Sequence, residues 1–287
     1  SGDSVNLNGS LTVDSGSSFT LENNANLLQG GTTNTNSGDI TVKRNSSALI
    51  RQDYTLWSAP VASQNLLAFS PSTLATRFYT YSTTANQYSA VVPSTTDFAT
   101  ATGYLIRMPN NHPSTATVWA GAFAGVPNNG DYGFSMVDNG VGQRFNAVGN
   151  PYPSPIDATA FVGNTTNAAN TTGTLYFWRK TNNAASPSYC SWTTGGFVTN
   201  SEAQVFDPND VIQTGQGFFV EASGSGTSLV FDNTMRTDDH ANQFFRNQNT
   251  IERNRIWLNA TNAEGLFSQT LVGYMTGATN AIDYAID

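Results

Sequence analysis

The sequence predicts an all-β protein, on three observations. Apolar residues fall in short runs of strand length, bounded by turns rich in Gly, Asn, Ser and Pro. Three phrases recur in the same order in two parts of the chain. Helical periodicity is confined to brief stretches. The predicted architecture is a short N-terminal β-solenoid-like or meander segment (1–50), two duplicated β-sandwich or jelly-roll-like units (51–143 and 144–249), and strands of a further β domain (250–287).

In the first segment, NLNGSLTVDSGSSFTLENNANLLQ places Leu11, Val13, Phe19, Leu21, Leu27 and Leu28 in pairs that recur about every eight residues. Such spacing suits stacked rungs, each burying its apolar pair against the next, with Asn side chains laddered in the turns. From residue 53 the repeat begins. LWSAPVA (56–62) matches VGNPYPS (148–154), an apolar strand running into a proline turn. RFYTYSTTANQYSA (77–90) matches LYFWRKTNNAASPSYCSW (175–192), two aromatic strands joined by an Asn-containing turn. TGYLIRMPNNHPSTATVWAG (102–121) matches QGFFVEASGSGTSLVFDN (216–233), a glycine followed by two apolar strands.

The third match settles the meaning of VIQTGQGFFVEASGSG (211–226), which resembles a phosphate-cradling loop at first sight. Gly217 stands where Gly103 stands in the other copy, and no helix follows FFVEA as a dinucleotide fingerprint requires. The glycine is read as a close backbone approach or a bulge, and SGSGT as a hairpin turn. ASQNLLAF (62–69) and PIDATAFV (155–162) occupy equivalent places as short helical turns, the second capped by Asp157. After residue 250, Ile256–Leu258 and Phe267–Val272 read as two strands joined by a turn at Asn262–Gly265; a lone hairpin needs further strands to be stable. The chain opens without a leader-like segment and closes in mid-pattern on NAIDYAID, as a mature piece of a longer protein would.

Composition narrows function. Charged residues make up 11% of the chain, against roughly 25% in an ordinary soluble domain. Amides and hydroxyls must solvate the surface instead. A net charge of −8 and only two lysines, Lys43 and Lys180, argue against nucleic acid and anionic membranes. No apolar run is long enough to span a bilayer as a helix. The single Cys190, between aromatics in SYCSW, reads as a packed strand residue.

Candidate chemistry is thin. Asp232, Asp238 and Asp239, beside His240, could together hold Ca²⁺, but their spacing fits neither an EF-hand nor a HExxH helix. A solvated loop explains the run more simply, and no cofactor is expected otherwise. His112, in PNNHPS, reads as a loop residue. No serine elbow is present, and Glu22, Glu202 and Glu221 stand in plain strand or loop contexts. Of the five tryptophans most read as core; Trp192, flanked by Ser and Thr near a Gly-Gly turn, is the candidate platform for a sugar ring.

The phrases GNPYPSPIDATAFV, GTLYFWRKTNN, SYCSWTTGGFVTN, DPNDVIQTGQGFFVEA and NRIWLNATNAEGLFSQTLVGYMTGAT, taken together, resemble the large cell-surface proteins of flavobacteria (Bacteroidota) exported by type IX secretion. The resemblance spans residues 50–287. It implies an adhesin-like protein outside the cell, secreted or on the outer-membrane surface. It also implies partnership with the type IX machinery through a C-terminal sorting domain that this chain lacks. No catalytic residue comes with it. Asp3-Ser4-Val5 fits the short pattern glycosylated in relatives of that group, which makes Ser4 a candidate acceptor. The expected function is therefore a non-enzymatic structural or adhesive module, able to self-associate through strand edges. The alternative is a carbohydrate-binding module of a polysaccharide-acting protein.

Overall fold

A computed structural model describes residues 3–179, 185, 187–201, 207–223, 226–239, 254–274, 279 and 282–285. The first four strands are β1 (Ser4–Leu7), β2 (Thr20–Leu21), β3 (Asn26–Gln29) and β4 (Ile40–Leu49). Their pairing is parallel: Ser4 lies opposite Asn26, Thr12 bridges Ser37, and Thr20 lies opposite Thr41. Three parallel contacts in chain order mean that the chain winds twice over itself, as two rungs with three sides. Leu21, Leu27, Ile40 and Val42 fill the inside. Buried amides tie the turns: Gln29 Nε2 donates to Gly9 O (2.9 Å) and to Asn36 Oδ1 (2.8 Å), and Asn36 Nδ2 donates to Pro127 O (2.9 Å).

The next strands are β5 (Tyr54–Trp57), β6 (Phe78–Ser82), β7 (Gln87–Ala90), β8 (Tyr104–Arg107) and β9 (Thr117–Gly125), with helix α1 (Leu66–Phe69) after β5. They are followed by β10 (Tyr132–Ser135), β11 (Phe145–Gly149), β12 (Ile156–Asp157), α2 (Ala158–Gly163), α3 (Thr165–Asn170), β13 (Thr171–Trp178) and β14 (Tyr189–Thr193). Then come β15 (Gly196–Val198), β16 (Val211–Ile212), β17 (Gly217–Ala222) and β18 (Ser228–Phe231).

Two sheets share one strand order. The first runs β5-β8-β6-β7 and the second β11-β17-β13-β14-β15. In each, the last strand of the repeated phrase inserts between its first and second. The strand that follows also behaves alike: β9 pairs with β4, and β18 with β10, each antiparallel. β4 thus closes the N-terminal rungs and covers the first sheet at once.

Alternation along these strands buries both faces. Trp57, Phe78, Ile106, Val148, Phe177, Cys190, Trp192 and Phe218 point to the main core, under the β4–β9 and β10–β18 pairs. Their neighbours Leu56, Leu105, Ala147 and Phe219 form a second cluster with Tyr54, Tyr79, Tyr81, Tyr88, Tyr176, Trp178 and Tyr189, where the two sheets face each other. The period of two makes both layers from one set of strands. Burial holds the Cys190 thiol up at about 12, so it stays protonated and serves as packing.

The two copies meet reciprocally. Trp57 bridges Gln216, and Thr102 bridges Val148. A Cβ on Gly103 would stand 2.9 Å from Val148 O, and one on Gly217 would stand 2.7 Å from Leu56 Cγ and 3.1 Å from Leu56 O. These glycines let one copy's backbone reach the other's, which is the role of the Gly-Gln-Gly stretch. Gln216 is buried and its Oε1 accepts from Gln213 N at 2.9 Å, holding the turn that precedes β17. Gly217→Ala is expected to destabilise by about 1–3 kcal/mol through overpacking, with urea unfolding as the measurement.

Helices are short and capped. Asn65 and Asp157 cap α1 and α2, the two equivalent turns. The unforeseen α3 is capped by Asn164 and followed at once by β13. Near the end, β19 (Asn254–Thr261) and β20 (Phe267–Tyr274) form a hairpin in continuous register, turned at Asn262–Gly265. The hairpin lies on the second sheet, where Trp257 Nε1 donates to Phe197 O (3.0 Å) and Gln269 Oε1 accepts from Thr199 N (3.0 Å). The segment from Ile282 to Ala285 also returns to this sheet, with Ala285 packed on Gly173 and its carbonyl accepting from Thr194 N at 2.8 Å.

Candidate functional site

The facing layers of the two sheets do not close completely. Toward β7 and β14 they part into a cleft of about 440 Å³, lined by Tyr81, Tyr88, Phe145, Tyr176, Trp178, Tyr189 and Phe219. Asn86, in the turn between β6 and β7, and Gln87, the first residue of β7, stand at its rim. β6 and β7 supply Tyr81 and Tyr88 from one copy. β13, β14 and β17 supply Tyr176, Trp178, Tyr189 and Phe219 from the other, each on the face that alternation turns away from the main core. The volume falls within the range of small-ligand pockets.

The rings hold one another edge to face. Tyr88 meets Trp178 at 6.0 Å and Phe219 at 6.2 Å between centroids, and Trp178 meets Tyr189 at 5.4 Å. The Tyr88 and Tyr189 hydroxyls lie 2.9 Å apart in a hydrogen bond, and the Tyr81 hydroxyl donates to Asn86 Oδ1. Burial raises the phenols of Tyr81 and Tyr88 above their ordinary value and that of Tyr189 to about 12. The walls are therefore neutral at physiological pH. They offer ring faces and amides, and no lining side chain has the range to exchange protons near neutrality.

One polar group in these walls is unspent. The indole Nε1–H of Trp178 is buried and meets no acceptor among the described residues. An unmade buried hydrogen bond of this sort costs roughly 1–3 kcal/mol.

The residues singled out in the sequence fare differently. Trp192 is not a platform: it is 1% exposed, and its Nε1 donates to Asp210 Oδ1 at 2.9 Å. Its Ser and Thr neighbours misled because adjacent strand residues face opposite sides; Trp192 shares its side with the buried Cys190. The cleft indole is Trp178, and the most exposed is Trp257, at 44%. The alternation LYFW (175–178) held the signal for Trp178, once Phe177 is assigned to the core.

Asp232 does not converge with Asp238 and Asp239 into a metal centre. Its Oδ1 caps the turn Asn233–Met235 through Thr234 N (2.8 Å), and its Oδ2 accepts from Asn164 Nδ2 (3.1 Å). Asp238 and Asp239 lie beyond it in an exposed stretch, and His240 lies outside the described residues. Among the described residues no group of three or more His, Cys, Asp or Glu side chains could hold an ion. His112 is buried, not a loop ornament; its Nε2 lies 2.9 Å from Leu49 O and 3.1 Å from Thr117 O. Ser4, in β1, is half-buried, and its Oγ accepts weakly from Asn26 Nδ2 at 3.4 Å. No helix among the described residues is long and apolar enough to cross a membrane.

The fold is all-β, two like-ordered sheets with an aromatic seam between them. The whole chain, residues 1–287, matches the family described as Domain of unknown function (DUF8693), and the protein belongs to that family. No curated protein and no solved structure matches it.

Proposed function

We propose that the protein is a non-enzymatic module of a secreted cell-surface protein, structural or adhesive in kind, that takes hold of its ligand through the aromatic cleft. The observation that supports this most is the cleft itself, a ligand-sized hollow with seven aromatic walls and, among the described residues that line it, no carboxylate, imidazole or amine. The low charge supports a surface built for display, and the resemblance to type IX cargo supports a location outside the cell.

The test is retention without turnover. Labelled protein is incubated with insoluble polysaccharides, mucin and collagen, and bound protein and released fragments are both measured. One class of surface is expected to retain it with no fragments released. Trp178→Ala combined with Tyr189→Ala should lower retention at least tenfold, about 1.4 kcal/mol or more, with the thermal transition still cooperative. Release of fragments, or retention that survives the double variant, would contradict the reading.

A further inference from the structure

The aromatic cleft does not end at Tyr176. The same ring is a wall of a second hollow of about 370 Å³, whose other walls include Thr174, Ser191 and Thr193 from the second sheet and Gln269 and Leu271 from β20. Both hollows lie on one face. Along β13 that face carries Thr174, Tyr176 and Trp178, and along β14 it carries Tyr189, Ser191 and Thr193. The pairing sets Trp178 opposite Tyr189 and Tyr176 opposite Ser191. One end of the track is aromatic and the other is hydroxyl-bearing. From Trp178 to Thr174 it runs about 13 Å, by the rise of an extended strand.

The hydroxyl-bearing half offers an unspent hydrogen-bond donor. It is the half-buried Ser191 hydroxyl, which bonds to none of the described residues. Among the described residues no lining side chain in either hollow is charged. Arg255 stands close to Gly196, at the margin of the second hollow, and Glu221 is paired with Arg144 (3.2 Å), so the walls themselves are neutral, and the chain's net charge of −8 repels polyanions. A peptide adding itself as a strand needs an unpaired backbone edge. β13 is paired with β14 and β17, and β14 with β13 and β15, so neither presents one.

A ligand that answers all of these features is long, neutral, flat-faced and rich in hydroxyls. We infer that the track binds a neutral linear glycan. One sugar ring packs its C–H face on Trp178 and Tyr189. The chain continues past Tyr176 so that a later ring meets Ser191 and Thr193. This rests on the reading of the cleft as the ligand-holding site and adds the ligand's chemistry and direction.

The test is calorimetry on the intact chain with size-graded gluco-, manno- and xylo-oligosaccharides. Polygalacturonate and a proline-rich peptide serve as charged and peptide probes. In one neutral series, affinity is expected to rise at least tenfold from disaccharide to hexasaccharide. Trp178→Ala should abolish binding at every length. Ser191→Ala, a small change on a half-buried face, should weaken the hexasaccharide about threefold or more and leave the disaccharide unchanged. Absence of binding by all three series, absence of a length effect, or indifference of the hexasaccharide to Ser191→Ala would overturn the inference. Preferential binding of polygalacturonate or the peptide, lost in Trp178→Ala, would overturn the assignment to a neutral glycan while keeping the cleft as the site. Binding untouched by Trp178→Ala would overturn the reading of the cleft itself.

Discussion

Arg236→Ala is expected to lower the unfolding free energy by about 4 kcal/mol, the sum of several lost hydrogen bonds to a charged group. The guanidinium is buried, with no carboxylate paired to it among the described residues. It is neutralised by dipoles instead. Its Nε donates to Ser154 Oγ (2.9 Å), and its Nη1 to Asn129 Oδ1 (2.8 Å) and Asn233 Oδ1 (3.0 Å). Its Nη2 donates to Leu27 O in the N-terminal rungs, and the group lies 4.8 Å from the centre of the Tyr152 ring. One side chain thus clamps the rungs to the second copy.

Truncating Arg236 removes the guanidinium donors from Leu27 O, Ser154 Oγ and Asn233 Oδ1, while Asn129 Oδ1 keeps its bond from Asn233 Nδ2 (3.0 Å). Urea unfolding should show the loss, and limited proteolysis should cut first within residues 3–39. Lysine should restore less than half, because an ammonium cannot spread its donors as a planar fork does. Desolvation lowers the Arg236 pKa to about 10. The unfolded chain therefore holds more protons above that value, and the cost of burying the charge is relieved only as pH rises through it. Between pH 5 and 9 the deficit of Arg236→Ala should be flat.

Trp57→Ala should cost about 3–5 kcal/mol, the usual price of emptying an indole's place in a core. Trp57 is fully buried and meets Phe69, Trp119 and Phe123 edge to face, with centroids 5.3, 5.8 and 6.0 Å away. It also stands where the strand β5 bridges Gln216 of the other copy, so the cavity opens at the junction of the two. In a chain of this size the melting temperature should fall by roughly 10 °C. Trp257→Ala, on the exposed hairpin, should change stability by less than about 1 kcal/mol.

Much of the fold was legible because the strands obey local rules. The eight-residue spacing of Leu11 to Leu28 marks the sides of the winding rungs, and the repeat marks equivalent strands in the two sheets. Gly103 and Gly217 were paired by the repeat alone, and each proves to touch the other copy's backbone. Helix α3 escaped notice because TTNAAN carries no apolar period; only the capping residue Asn164 announces it.

The site was less legible, for a physical reason. A strand's alternation shows which residues share a face, but not which of two apolar faces is covered completely. Tyr176, Trp178 and Tyr189 are as apolar as the core residues beside them. Only the meeting of the two sheets, set by contacts distant in sequence, leaves their side ajar. Asp232 shows the converse: carboxylates close in sequence suggest a metal site, until one of them proves to cap a turn.

Trp178 is expected to face the ligand. The chain has five tryptophans and so five indole N–H signals in a nitrogen–proton correlation spectrum. Titration with the tightest-binding neutral hexasaccharide should move the Trp178 signal, identified by its loss in Trp178→Phe, and leave those of Trp57 and Trp192 in place. A titration that leaves Trp178 still while the Trp257 signal moves, or that moves no indole signal at all, would contradict the account.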